Sequence, residues 1–292
     1  MVEDILRPIY QERASQNNTM GILMMGKREK TISITDNFDA VLLVIVKEAE
    51  QPIFIKHYSY EDKQAAMHIV TKAQLDEWLL FGSNRKIVDW IYSGKVIFDR
   101  NEYLHQLRQQ LSEFPEKERK LKNGLEFAKL IRRYTKGRAF FDNRHYLDAY
   151  NDIIHSLHHL ARLTVIEKGF HPEITVWQQI KKMEPEIYKL YDELVNSEED
   201  LQKRLELLFL ASEFLIHSRI RIGSTHLIDV MKTKEYWSFN EILTHSELRL
   251  YSIDLEVLIE YLIEKHTIEV VNLGTKGQGI FHRYYKVSDQ FL

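Results

Sequence analysis

The chain has 292 residues, 44% of them hydrophobic and 28% charged, with a formal net charge of −3. That length allows two or three domains and a sizeable core, and the charge balance excludes a chain whose whole surface binds nucleic acid nonspecifically. There is no cysteine, which excludes disulfides, thiolate chemistry and cysteine-based zinc sites. The start, MVEDILRPIY, lacks the basic n-region and apolar core of a signal peptide, and no apolar run reaches the roughly 18 residues of a membrane span. A cytoplasmic protein without a membrane partner is expected.

Taken in order, residues 4–16 read as a short helix and Thr19 to Met25 as a first strand ending at Gly26. Lys27 to Thr31 is a basic turn. Seven unbroken apolar residues follow, Ala40 to Val46, rich in β-branched side chains. That run predicts a strand buried on both faces, with Asp39 at its mouth and Asp36 three residues earlier. Strands are predicted over Ile53 to Tyr60 and Ala65 to Thr71, helices over Lys72 to Leu80 and Arg85 to Tyr92, and a short strand over Lys95 to Phe98 that ends in Asp99. Gly82-Ser83-Asn84 and Gly94 interrupt these helices.

Strand signals then vanish. Helices are predicted over 101–113, 117–135, 144–168, 174–182, 185–196 and 199–217, the pattern of a helical bundle. Helix 117–135 is basic, with nine Lys and Arg side chains between 117 and 138. Gly223-Ser224 opens a last unit: helices near 225–232, 238–245 and 253–265, then a hairpin of Thr267 to Leu273 and Ile280 to Val287 around a glycine-rich tip. Three short helices and a hairpin are the order of a winged helix-turn-helix.

The stretches MGILMMGKREKTISITDNFDAVLLVIV, HIVTKAQLDEW and SGKVIFDRNEYL, with the bundle and the tail, resemble the bacterial nucleotidyltransferase-like proteins of the polymerase-β-like superfamily. The resemblance implies an α+β fold in three parts: a nucleotidyltransferase-like mixed-sheet domain over 1–114, a helical bundle serving a substrate over 115–222, and a winged helix-turn-helix over 223–292. It also implies a reaction. Active members carry a Gly-Ser turn for the triphosphate, an Asp-x-Asp pair opening the next strand, and a third carboxylate on a neighbouring strand. Together these hold Mg²⁺ ions that bridge the attacking and leaving oxygens.

This sequence departs at each element. Gly26 fits the turn, but Lys27 stands at the serine position. Asp39 fits the second acid, but Asn37 falls at the first, and Asp36 is one residue out of register. The third acid would fall near Ala65 to Met67, where QAAMHIV has none. A competing constellation has Asp36, Asp39 and Asp99 converging. The resemblance therefore assigns Asp36 and Asp39 as the catalytic and Mg²⁺-binding residues of an active chain, and Gly26 and Lys27 as its nucleotide contacts.

In the bundle, Arg132 and Arg133 on the basic helix, and His155 and His159 on helix 144–168, are candidate substrate or phosphate contacts. Counting 100° per residue places His155, His158, His159 and Arg162 opposite the apolar face of their helix. His155 and His159, four residues apart, also have the spacing of a metal pair, although the glutamate of the hydrolase pattern is missing. In the tail, the third helix carries Asp254, Glu256, Glu260 and Glu264, and residues 224–292 hold seven basic against ten acidic side chains. A specific DNA reader is locally basic, so a protein partner or a homodimer is favoured over DNA.

The reading is a nucleotidyltransferase-like protein with a degenerate catalytic motif that binds a nucleoside triphosphate or another partner with reduced or no activity. The alternatives are an active Mg²⁺-dependent transferase and a DNA-binding regulator acting through the winged helix.

Overall fold

A computed structural model describes residues 2–27, 35–84 and 86–289. Most of the predicted basic turn after Gly26, and the Ser33-Ile34 lead-in to Asp36, lie outside the described residues. The chain forms two compact units, Met1–Pro115 and Glu116–Leu292.

The first unit is built on one mixed sheet. Strands β1 (Thr19–Gly26), β2 (Ala40–Val46), β3 (Ile53–Tyr60), β4 (Lys63–Thr71) and β5 (Lys95–Asp99) lie in the order β3-β4-β2-β1-β5. The β2–β4 pair is parallel and the other pairs are antiparallel. Every residue of β2 is buried, because both faces of the sheet are covered. On one face Val41, Leu43 and Ile45 pack with Leu75, Ile87, Trp90 and Leu104. These come from α2 (Lys72–Phe81), α3 (Ile87–Ser93) and α4 (Tyr103–Glu113). On the other, Ala40, Leu42, Val44 and Val46 pack with Leu6 and with Ile9 and Tyr10 of α1 (Val2–Ser15). A central strand sealed on both sides explains why its sequence is continuously apolar rather than alternating.

Helix α2 ends as predicted. Gly82 takes the left-handed conformation with φ 61° and returns its N–H to the Trp78 carbonyl, a conformation that costs a glycine little. Gly82-Ser83 is thus the end of a helix.

The second unit is organised on α5 (Glu116–Asp142), 27 residues and roughly 40 Å long. It outruns the predicted 117–135 because Gly137 continues the helix: its missing side chain lets α5 approach Asp152 and Phe209. Around it are α6 (Tyr146–Glu167), α7 (Val176–Met183), α8 (Pro185–Asn196), α9 (Leu201–Ser218) and α10 (Ile220–Met231). Helix α10 runs straight through Gly223 and Ser224, where the sequence pattern starts a helix only at 225. Gly223 is there because a Cβ would collide with the ring of Phe127 on α5.

The tail follows with α11 (Phe239–Thr244), a 3-10 segment (Leu248–Asp254), α12 (Leu255–Glu264), and a small sheet of β6 (Trp237–Ser238), β7 (Ile268–Gly274) and β8 (Phe281–Val287) ordered β6-β8-β7. Ser238 and Glu241 form a capping box at the start of α11, which satisfies two otherwise orphaned N–H groups. Tail and bundle share one core. Tyr251, 1% exposed, fills the space left by Gly124 of α5, and Phe127 meets Tyr261 edge-on at 6.3 Å.

Candidate functional site

In the first unit the predicted acids sit where β1 ends and β2 begins. Gly26 pairs with Ala40 across the two strands, and Lys27 donates its N–H to the Asp39 carbonyl at 2.9 Å. A Cβ at Gly26 would meet nothing within 4 Å among the described residues, so its small size is not demanded by packing. The Asp39 carboxylate accepts the Gln64 N–H at 2.9 Å, locking the mouth of β2 to the start of β4. Asp36 lies in a turn with φ 52° and forms an ion pair with Lys86, the residue leading into α3. The two acids are thus held by different partners.

The neighbouring strand offers no third acid. Parallel pairing sets Ala40 against Ala65, Val41 against Ala66 and Leu42 against Met67, and all three β4 side chains are buried in the two cores. The competing constellation fails as well. Asp99 pairs with Gly21, five residues along β1 from Gly26, which is about 17 Å at the rise of a strand. Its carboxylate is occupied there: it accepts the Leu104 N–H at 2.8 Å and the His105 N–H at 3.3 Å, holding the first turn of α4.

Two histidines that the sequence reading did not single out lie close by: His68, near Asp36 and Lys86, and His57, near His68. The His57 ring meets Phe38 at a tilt of 47° with centroids 4.8 Å apart, and His68 meets Trp90 edge-on at 5.1 Å. Burial pushes the His68 pKa down, His57 and Lys86 add to that, and Asp36 opposes it. The signal that could have found them is the antiparallel register, which places His57 against Ala66 and so on the same face as His68. Among the described residues no group of three or more His, Asp or Glu side chains is placed to hold a metal ion. A pair of Mg²⁺ ions needs several oxygen ligands; among the described residues the β2 mouth offers two carboxylates, Asp39 with one oxygen on the Gln64 N–H and Asp36 paired with Lys86.

In the second unit the basic helix does not present one charged face. Seven of its cations are paired, with acids on several sides of the cylinder. Lys120 reaches Asp229, Lys122 reaches Glu118, and Arg138 reaches Asp142. Arg132 turns to the tail and pairs with Asp254, which separates it from Arg133. Arg133 turns to α6 and donates to Asp152 at 2.7 Å, with the Lys136 ammonium 3.6 Å from the same carboxylate.

The polar stripe of α6 also differs from its expected position. Asp152 and Arg162 are buried, and with His159 they face α5 instead of lying opposite the packed side. At the centre is Glu126 of α5. Its carboxylate meets His159 Nδ1 at 2.9 Å, Arg162 Nε at 3.3 Å and Lys129 Nζ at 3.4 Å. Burial alone pushes this carboxyl up. Arg162, the His159 hydrogen bond and Lys129 outweigh burial and hold it well below the usual carboxylate range. His155 lies on the exposed side of α6, so His155 and His159 do not act as a pair. Glu126 is the member of the seam that the sequence reading did not single out.

A cavity of about 500 Å³ lies between the start of α5, α10 and the loop after α11. His226 lines it, with Nδ1 3.0 Å from the Tyr251 hydroxyl and Nε2 3.3 Å from Glu247. Burial depresses the His226 pKa, and Glu247 opposes the shift.

Comparison with known proteins follows the same three-part order. A family described as Nucleotidyltransferase-like matches residues 2–119, a YgxA-like substrate binding domain matches 120–219, and a Helix-turn-helix domain matches 225–287. The chain is 57% identical over 284 residues to the protein YgxA of Bacillus subtilis (strain 168), covering 97% of both. This chain belongs to the YgxA-like, nucleotidyltransferase-like family. The crystal structure of a nucleotidyltransferase-like protein from Exiguobacterium sibiricum 255-15 is similar to it with a TM-score of 0.82 at 40% identity, covering 98% of this chain and 99% of the other. The α+β nucleotidyltransferase-like fold with a helical region and a C-terminal helix-turn-helix is therefore the fold of this family. Among the described residues no helix is long and apolar enough to cross a membrane.

Proposed function

We propose that this protein binds a nucleoside triphosphate through a nucleotidyltransferase-like domain that no longer transfers the nucleotide. The observation that carries the reading is the state of the β2 mouth. Asp39 is engaged by the Gln64 N–H, Asp36 by Lys86, and the β4 positions that would carry a third acid are Ala65, Ala66 and Met67. Nucleotidyl transfer needs its charge stabilisation in place at the reacting phosphorus, and this donor set does not provide it. The nearby features suit binding without chemistry: an open glycine turn at Gly26, Lys27 beside it, and Lys86 at the head of α3. The match of residues 120–219 to a substrate binding domain supports a ligand-holding role for the bundle.

The test pairs calorimetry with a transfer assay. Titration with ATP, GTP, CTP and UTP is expected to show binding of at least one, and incubation with the same nucleotides and Mg²⁺ or Mn²⁺ is expected to release no pyrophosphate. Pyrophosphate release abolished by Asp39→Ala would overturn the loss of transfer. Absence of any nucleotide binding would overturn the binding role.

The tail favours a protein contact over DNA. Helix α12 buries Leu255, Leu258, Ile259 and Leu262, and just before it Asp254 is committed to Arg132. Its exposed acids would face a polyanion, and Glu260 takes up Arg283, one of the cations of the wing. Retardation of duplex DNA that is lost in Arg283→Ala would reverse this assignment.

A further inference from the structure

The cleft between the C-terminal half of α5, α9 and α12 holds about 420 Å³, within the range of small-molecule sites. Two tyrosines line it, Tyr134 of α5 and Tyr261 of α12, each 8% exposed. The Tyr261 ring meets Phe127 edge-on, but its hydroxyl makes no hydrogen bond among the described residues. A buried hydroxyl without a partner is costly, and a phenylalanine would make the same ring contact without that cost. Tyr134 donates its hydroxyl to the Phe209 carbonyl at 3.4 Å, which leaves the lone pairs of its oxygen to accept.

The charges around the two phenols are unequally matched. Arg138 is held by Asp142 at 3.1 Å, and Lys265 by Glu264 at 2.9 Å. That leaves Glu213 of α9, which also lines the cleft and has no ion pair among the described residues. The three groups act on one another. Burial, then Glu213, pushes the Tyr134 phenol up to about 12, and Tyr261 is raised by burial, by Tyr134, by Glu264 and by Glu213. Both phenols are neutral at physiological pH, each with lone pairs to offer. One unpaired carboxylate and two phenol oxygens make three acceptors without a donor. An ammonium group is their complement: three N–H donors, a positive charge and no acceptor.

We propose that the α5–α9–α12 cleft binds the ammonium group of an organic amine. Glu213 supplies the counter-charge, and the hydroxyl oxygens of Tyr134 and Tyr261 accept two of the N–H groups. Asp142 and Glu264 hold Arg138 and Lys265, the cations that would otherwise compete for these acceptors. A phosphate or carboxylate ligand fits worse, because it would meet Glu213 and bring no donor. The inference goes beyond the nucleotide reading, which concerns the first unit, and assigns to the second unit a ligand group of the opposite charge.

The test is titration of the full-length protein with n-hexylamine, followed by saturation-transfer NMR, with 1-hexanol as the neutral counterpart. Hexylamine is expected to bind about tenfold more tightly than hexanol or better. Glu213→Gln should weaken hexylamine about tenfold and Tyr261→Phe about fivefold, the scale of a lost hydrogen bond to a charged group; neither should change hexanol. Glu199→Gln removes the same charge from an exposed position before α9 and should change nothing. Glu213 is exposed and the Tyr261 hydroxyl has no partner to lose, so both variants should melt within about 2 °C of the parent. Hexylamine that binds no tighter than hexanol, or folded Glu213→Gln and Tyr261→Phe proteins that bind it as the parent does, would overturn the site. A parallel titration with ATP separates the two readings. Loss of the amine preference with ATP still bound removes the cleft alone, and amine binding without ATP binding removes the nucleotide role alone.

Discussion

Replacing Glu126 by glutamine should destabilise the second unit strongly, and in a pH-dependent way. Glu126 is buried and is the common partner of Arg162, His159 and Lys129. The glutamine keeps the volume and one acceptor oxygen but leaves the buried Arg162 without its counter-charge. Removing one partner of a buried pair costs about 3–5 kcal/mol. For a unit of this size that corresponds to roughly 6–20 °C in Tm. Differential scanning calorimetry at neutral pH measures it. The pH dependence is a second check. The folded pKa of Glu126 is depressed, so its stabilisation is complete above the ordinary glutamate value of 4.5 and is lost as pH falls below it. The gap between parent and Glu126→Gln should therefore shrink as pH is lowered from about 5 to about 3. A variant that melts within about 2 °C of the parent at pH 7, or a gap that stays constant into acid, would show that the seam does not depend on this carboxylate.

Other predictions follow from the same geometry. Gly223→Ala drives a methyl into the Phe127 ring, so it should cost about 1–3 kcal/mol as overpacking, read as a lowered denaturant midpoint with an unchanged slope. Gly26→Ala meets nothing within 4 Å among the described residues and should alter stability by less than about 0.5 kcal/mol; if the turn meets the triphosphate, ATP affinity falls while the melt is unchanged. Burial depresses His226, so the unfolded chain takes up a proton first as pH falls below the ordinary histidine value of 6.5, and stability declines there. His226→Gln should flatten that part of the pH–stability curve, and an unchanged slope would place the titration elsewhere.

The strand at the centre of the first unit was readable because seven apolar residues in a row admit few alternatives, and the sheet buries all of them. The departures from the active motif were readable too, since Asn37, Lys27 and the alanines of β4 stand in the sequence itself. What the acids do was not. Asp99 looked like a ligand because it ends a strand, yet it holds the first turn of the next helix, and only the β1–β5 register shows how far it lies from Asp39. The polar stripe of α6 was placed facing outward because amphipathic counting assumes that the buried side of a helix is apolar. That assumption fails where a second helix, some thirty residues away in sequence, supplies the opposite charges. Arg132 and Arg133 are adjacent in sequence and diverge in space, one to Asp254 and one to Asp152. A helix step of 100° separates neighbours, and no periodicity in α5 alone says which of them faces the tail and which faces α6.

The most direct test is one incubation. The protein is mixed with an α-labelled nucleoside triphosphate that calorimetry shows it to bind, with Mg²⁺ and a small-molecule cell extract as the acceptor pool, and the label is resolved by thin-layer chromatography. The label should remain in intact triphosphate, with no labelled monophosphate joined to an acceptor and none on the protein. A labelled product that disappears in Asp39→Ala would mean that the β2 mouth is catalytic after all.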